Sequence, residues 1–328
     1  MKRLELVCPA GTPASLRAAV QAGADTVYCG YADETNARNF PGLNFSRPEM
    51  DEAIAFAHDY GAKVLVAINT FPQIGNEDLW HQAVIDAKAA NADAVILADP
   101  GLLAHTAHNY GDLRLHLSVQ AAAANPDVIN FYAEEFGVKR VVLPRVLSVA
   151  EIAAINREID TETEVFVFGG LCVMEEGRCS LSSYATGKSP NMNGVCSPAS
   201  HVVYEQSGSM MTSKLGDFII DEVEQDAPAP YPTLCKGRFM VANRTGPVFE
   251  DPSSLDASSL IPQLAQAGVV ALKIEGRQRS RSYVAAVVRS FRKATEACAL
   301  GQPIPSNVLA QLSEGQGNTT GAYRKAWR

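Results

Sequence analysis

Four of the seven cysteines, Cys172, Cys179, Cys196 and Cys235, fall in one Gly-, Ser-, Pro- and Asn-rich segment, with 6, 16 and 38 residues between successive members. Thiolates are soft donors, and four of them can hold zinc in a tetrahedron or an iron–sulfur cluster. Zinc ribbons use tight C-x2-C knuckles, which this set lacks. Spacing alone leaves open zinc, a cluster, or four unrelated buried cysteines. On one straight helix Cys172 and Cys179 would stand about 10 Å apart along the axis. Converging sulfurs are better served by a loop, and Gly169, Gly170, Gly177 and Gly194 can supply one. Cys8, Cys29 and Cys298 read as small core residues, since neither a base nor a helix N-terminus accompanies them.

Such a set needs a frame to bring it together. "AGADTVYCG" (22–30), "NADAVILAD" (91–99), "FGVKRVVLPR" (136–145) and "AGVVALKIEGR" (267–277) share one design, a small or Gly turn closing a helix and then a short apolar run. Between them lie the strand-length runs "LELVCPA", "KVLVAINT", "LRLHLSVQ" and "EVFVFGG". Amphipathic spacing predicts helices over 13–22, 47–60, 76–90, 101–109, 126–136, 148–159 and 280–299, with Ser148 and Glu151 forming a capping box. Eight strands alternating with helices predict a TIM-like (β/α)8 barrel, in which reactive groups gather where strands run into the following loops. An open doubly wound sheet is the alternative. In the barrel, Pro9, Gly11, Gly30, Tyr31, Asn69, Thr70, Asp99, Ser118, Gln120, Arg145, Cys172 and the run from Lys273 to Arg277 converge on one mouth.

The seventh and eighth strands are unusually far apart in the chain. The expected organisation is therefore βα units over 1–169, a cysteine-bearing, partly β insertion over 170–260, and a last βα unit with a C-terminal tail over 261–328.

Composition narrows the function classes. A chain of 328 residues with 47 % hydrophobic and 20 % charged residues can bury a sizeable core. No apolar run approaches the roughly 18 residues of a membrane span, and no signal peptide is evident, so a cytoplasmic location is expected. In a reducing compartment cysteines are more often metal-binding or buried than disulfide-bonded. A formal net charge of -8 without a dense Lys/Arg cluster argues against a nucleic-acid partner and for a small or lipidic substrate.

The stretch Glu164, Phe166, Gly169, Leu171, Cys172, Gly177, Cys179, Leu181 and Ser182 resembles the signature of the collagenase-like peptidase family. That signature is E-x-F-x2-G-[SA]-φ-C-x4-G-x-C-x-φ-S, with φ aliphatic. Gly170 departs from it, standing where Ser or Ala is usual. Similarity extends through "NARNFPGLNF", "LSVQAAAAN", "VVLPRVLS", "YPTLCKGRFMV", "KIEGRQRS" and "TTGAY". Within the family the pattern is most similar to a subgroup of ubiquinone biosynthesis.

The resemblance implies an oxygen-sensitive [4Fe-4S] cluster on Cys172, Cys179, Cys196 and Cys235, and a heterodimer with a UbiV-like protein. It further implies a prenylated quinone precursor as substrate, prephenate as hydroxyl donor, and a lipid-binding accessory protein. A dicarboxylate donor calls for Arg or Lys. Arg145, Lys273 and Arg277 are the candidates, unless they form a rim network with Glu275 and Asp99. Gln120, Asn69 and Asn36 could orient a ring hydroxyl or simply cap turns. None of the six histidines shows metal-ligand spacing. A peptidase, a noncatalytic cluster-bearing subunit and an RNA-modifying enzyme are the competing readings. No H-E-x-x-H motif supports the first, and the acidic balance weighs against the last.

Overall fold

The computed structural model of the protein describes residues 3–193, 195–227, 229–304, 309, 312 and 317–324. Gly194 thus lies outside the described residues. The chain opens with β1 (Glu5–Pro9), α1 (Pro13–Gln21), β2 (Thr26–Cys29), α2 (Arg47–Asp59), β3 (Lys63–Ile68) and α3 (Glu77–Ala89). It continues through β4 (Ala94–Leu97), α4 (Pro100–Asn109), β5 (Leu115–Leu117), α5 (Pro126–Phe136), β6 (Arg140–Val142), α6 (Val149–Ile155) and β7 (Glu162–Gly170). A segment carrying α7 (Leu181–Thr186), α8 (Pro190–Asn193), β8 (Val202–Ser207), β9 (Met210–Leu215), β10 (Phe218–Glu224), β11 (Arg238–Val241) and β12 (Arg244–Pro247) then intervenes. The remaining elements are β13 (Ser253–Asp256), α9 (Ile261–Gln266), β14 (Ala271–Ile274), α10 (Arg281–Ala299) and β15 (Gly317–Thr319).

Strands β1 to β7 pair in sequence, all parallel, and β14 closes the ring by pairing parallel with both β7 and β1. This is an eight-stranded α/β barrel of the TIM type. The helices start where side chains satisfy their free N–H groups. Thr12, Asp99, Asn125 and Ser280 each accept from a first-turn amide, and Ser46–Glu49 and Ser148–Glu151 form capping boxes. Helix α6 ends at Ile155, four residues short of the expected 159. Asn156 caps it and its Nδ2 donates to Ala267 O at 2.8 Å, tying the turn to the helix preceding β14.

Strand alternation builds two apolar layers. Leu6, Val27, Val64, Val95 and Leu272 face outward into the layer under the helices, with Trp80 and Phe291 wholly buried there. Val7, Tyr28, Leu65, Ala67, Ala94, Ile96 and Ala271 form the smaller interior cluster. Small residues in that second set leave room inside the barrel for charged side chains.

Beyond β7 the chain leaves the barrel, forms an antiparallel β8–β9–β10 sheet and a β11–β12 hairpin, and returns through β13. Strand β13 pairs antiparallel with the last residues of β7, and β15 adds parallel to β13. Among the described residues, no helix is long and apolar enough to cross a membrane.

Candidate functional site

The strands' C-terminal ends enclose a narrow cleft with about 50 Å³ of free space, or about 540 Å³ counting its open mouth. Asn69, Gln120, Arg145, Lys273 and Arg277 all line it, together with Tyr28, Arg38, Phe166, Glu176 and Glu275. The structure thus brings together all five candidate substrate-binding residues. Asn36 stands just behind, its Oδ1 accepting from Arg277 Nη1 at 2.7 Å. Tyr31 and Thr70 serve the scaffold: Tyr31 lies under the Arg47 guanidinium at 4.0 Å, and Thr70 Oγ1 accepts from Trp80 Nε1 at 3.1 Å.

Four cations and two carboxylates line this cleft, and their pairing is uneven. Arg145 is buried against Glu176, Nε to Oε1 3.1 Å, lies over the Phe166 ring at 3.8 Å, and donates through Nη1 to Gly170 O at 2.5 Å. Lys273 Nζ meets Glu164 Oε1 at 2.6 Å, deeper in the barrel. Arg277 and Arg38, among the described residues, have no carboxylate within ion-pair distance; Arg277 bonds Asn36, and Arg38 bonds Ala37 O at 3.0 Å. Burial pushes Arg277 down to about 10, despite Tyr28 and Glu275 pulling it back. Burial would raise the Glu275 carboxyl, but Arg38, Arg145 and the Gly170 N–H hold it below the usual range. Asp99 takes no part, because its carboxylate caps α4 by accepting from Leu102 N at 2.7 Å. The expected rim network with Glu275 and Asp99 is therefore replaced by deeper pairs. Arg277 is buried and Arg38 half-buried, and both are held by neutral acceptors, which leaves two guanidinium charges in the cleft without a matching carboxylate.

Polar acceptors complete the wall. Asn69 Oδ1 accepts from Ala37 N at 3.0 Å and its Nδ2 donates to Ser118 Oγ at 3.3 Å. Gln120 sits in the turn after β5 with its Oε1 buried and unpartnered, an acceptor available to a ligand donor.

The cysteine loop closes over one side of the cleft. Gly169 (φ +108°) lets β7 pass against Glu275, where an added Cβ would stand 2.4 Å from Glu275 O. Gly177 (φ +82°) presses on the turn after β5, where a Cβ would stand 1.9 Å from Gln120 O. Both positions require glycine. The Cys172 thiol is pushed up to about 12 by burial first and Glu176 second, with Arg145 and Arg38 opposing and Cys196 adding. Cys235 is pushed up to about 11 by burial, then by Cys196, with Cys179 also contributing. Cys196, which is exposed, thus acts on both Cys172 and Cys235, and Cys179 acts on Cys235. Among the described residues, no three His, Cys, Asp or Glu side chains converge on a point for a single metal ion. Tetrahedral zinc would require sulfurs about 3.8 Å apart, from Zn–S bonds of about 2.3 Å.

Glu176 and Arg38 are cleft residues that motif reading passed over. Glu176 lies inside the stretch that carries the cysteine signature, and Arg38 lies in "NARNFPGLNF". A carboxylate and a guanidinium group in segments without regular periodicity were the available signal. His116, by contrast, is inside the barrel, with Arg114 Nε donating to its Nε2 at 3.1 Å.

The sequence pattern described as Peptidase family U32 matches residues 11–320. The chain is 33% identical to tRNA hydroxylation protein P of Haemophilus influenzae, over 98% of this chain and 74% of that protein. It is 32% identical to tRNA hydroxylation protein P of Escherichia coli, over 99% of this chain and 75% of that protein. A 23S rRNA 5-hydroxycytidine synthase of Escherichia coli is 30% identical over 90% of this chain and 40% of its own length. With a match of that extent, the chain belongs to peptidase family U32.

Proposed function

We propose that this chain is the iron–sulfur subunit of an oxygen-independent hydroxylase, similar to UbiU, acting in ubiquinone biosynthesis. A UbiV-like protein is its partner, a prenylated quinone precursor its acceptor, and prephenate the hydroxyl donor. The supporting observation is a juxtaposition: the loop that carries Cys172 and Cys179 borders, through Glu176 and Gly177, a cleft in which Arg38 and Arg277 lack carboxylate partners.

Cys172, Cys179, Cys196 and Cys235 would hold a [4Fe-4S] cluster, which when bound supplies electron transfer beside the cleft. The protein's residues do the rest. Arg38 and Arg277 receive the two carboxylates of the donor, and Arg145, fixed by Glu176, screens them from Glu275. Phe166 and Tyr28 line the cleft as aromatic walls, with Arg145 over the Phe166 ring and Lys273 over the Tyr28 ring. Asn69 and Gln120 orient its polar substituents, and the cysteine loop limits water.

A second reading, hydroxylation of an RNA base, is favoured by the names of the relatives. The formal net charge of -8 weighs against it. The family's peptidase title receives less support, since no histidine lines the cleft.

Anaerobic copurification with a UbiV-like protein should yield a coloured chain with about four irons and matching sulfide. Incubation with a prenylated phenol and prephenate should then give the hydroxylated ring by mass spectrometry. A colourless chain with stoichiometric zinc would end the cluster reading. Hydroxylated nucleosides in tRNA digests, with no quinone product, would select the second one. Each cysteine changed to Ala should lose iron; hydroxylation persisting in all four would make the cluster structural.

A further inference from the structure

The segment between β7 and β13 carries most of the large apolar side chains that the fold leaves in water. Among the described residues, eleven of sixteen such exposed side chains fall between Tyr184 and Phe249. Val203, Met210 and Ile219 stand on the β8–β9–β10 sheet, while Met240 (76% exposed) and Val241 (58%) stand on the β11–β12 hairpin, with Val248 and Phe249 just after it. Apolar surface concentrated in this way marks a contact with another molecule.

Charge divides that surface in two. Residues 202–226, which form the sheet, hold six carboxylates against one cation, Lys214. Residues 236–249, which form the hairpin, hold Lys236, Arg238 and Arg244 and no carboxylate. Strand pairing puts Val203, Glu205, Met210, Ile219, Glu222 and Glu224 on one face of the sheet, and Ser213 and Leu215 are buried on the other. Among the described residues, only Glu205 of the six carboxylates has a cation within ion-pair distance, Lys214 Nζ at 2.6 Å. In the hairpin Arg238 reaches Asp251 at 3.2 Å and Lys236 Nζ donates to Ser253 O at 3.2 Å, whereas Arg244 has no carboxylate within ion-pair distance among the described residues. Ala242 and Asn243 (φ +48° and +60°) make a two-residue turn, so Met240, Val241 and Arg244 stand together at the hairpin tip.

We propose that this surface is an interface between two copies of the chain, the basic hairpin of each seated on the acidic sheet of the other. An acidic patch beside a basic one becomes its own complement when turned through half a revolution, so both contacts form together and the assembly closes as a twofold dimer. The contact covers Met240 and Val241 with Val203, Met210 and Ile219, and it brings Arg244 to Glu222 and Glu224. An anionic bilayer or an RNA would attract the hairpin but meet repulsion from the sheet beside it. A second copy satisfies both halves at once. This inference stands independently of the hydroxylase reading.

Sedimentation equilibrium of the full chain without any other protein should give twice the mass of one chain at micromolar concentration, with added salt favouring dissociation. R244E, which the twofold axis places in the interface twice, should weaken the dimer by about 100-fold or more, and M240D/V241D by at least as much. E222K should weaken it as well, and E222K combined with R244E should regain part of the loss, because both contacts are then reversed together. Carbodiimide cross-linking of mixed isotope-labelled and unlabelled chains should join Lys236 of one copy to sheet carboxylates of the other. The substituted side chains are all exposed, so circular dichroism should show each variant folded. A wild-type monomer at that concentration would overturn the proposal, as would a dimer that R244E and M240D/V241D leave intact. A monomer that floats with phosphatidylglycerol vesicles through Met240 and Val241 would assign the hairpin to a lipid surface instead. One that binds a UbiV-like protein only while Met240 and Val241 are intact would assign it to that protein, and either result would overturn the dimer.

Discussion

At the N-terminal end of the barrel Arg140 lies among Glu5 and Glu162 at 2.7 Å each and Glu164 at 3.3 Å, whereas at the opposite mouth Arg38 and Arg277 meet no carboxylate. Arg114 also reaches Glu162, and Arg3 and Arg292 share Asp25. The N-terminal end even holds the roomier hollow, about 1300 Å³, lined by Arg3, Glu5, Asp25, Lys63, Arg140 and Glu162. Size therefore does not locate the site; charge pairing does. Matched charges hold strands together, while the guanidinium groups of Arg38 and Arg277 keep charge that no carboxylate neutralises. The same two residue types, Arg and Glu, thus have different work at the two ends.

The contrast can be broken most severely at Arg140. Arg140→Met leaves Glu164 buried with Lys273 alone and should cost about 3–5 kcal/mol of stability, read by denaturant unfolding. Gly177→Ala should come next, at about 1–3 kcal/mol, because its Cβ would overlap the Gln120 carbonyl. On the proposed cluster reading that variant should also lose iron, since the loop carrying Cys172 and Cys179 must lift from the turn after β5.

Acid should weaken the N-terminal end selectively. Arg140 outweighs burial and holds Glu5 and Glu162 below their ordinary value of 4.5. Their stabilisation is complete above that value and is lost as pH falls through the depressed folded values. Urea unfolding followed from about pH 6 down to about pH 3 should show a steep decline that Glu5→Gln flattens. Arg38→Met should have the smallest effect on folding, within about 0.5 kcal/mol. It should nevertheless raise the KM for a dicarboxylate donor by about tenfold or more, since a charged hydrogen bond contributes about 1.5–3 kcal/mol. Loss of stability with no change in KM would place Arg38 with the structural charges and erase the distinction between the two ends.

Much of the frame was legible because it repeats. All seven expected helices are present, and the Ser148–Glu151 box appears with both of its bonds, since caps and apolar spacing act within a few residues. Strands such as β5, only Leu115–Leu117, were legible from their place in the alternation more than from their own length. Pairings were harder to foresee. Lys273 finds Glu164 across 109 positions, and Arg145 finds Glu176 where Glu275 and Asp99 were expected, because side chains select partners by depth in the barrel. Arg38 and Glu176 lie in loops without periodicity, so no local pattern marked them for the cleft.

By itself the sequence determined the alternation of strands and helices, the family to which the chain belongs, and the set of four cysteines, because these depend on local propensity and on residue type. Only the tertiary structure decided which charges are matched and which are left for a ligand. Barrel closure brings β14 beside both β1 and β7, and from that ring follow the depth, dielectric and neighbours of every side chain within it.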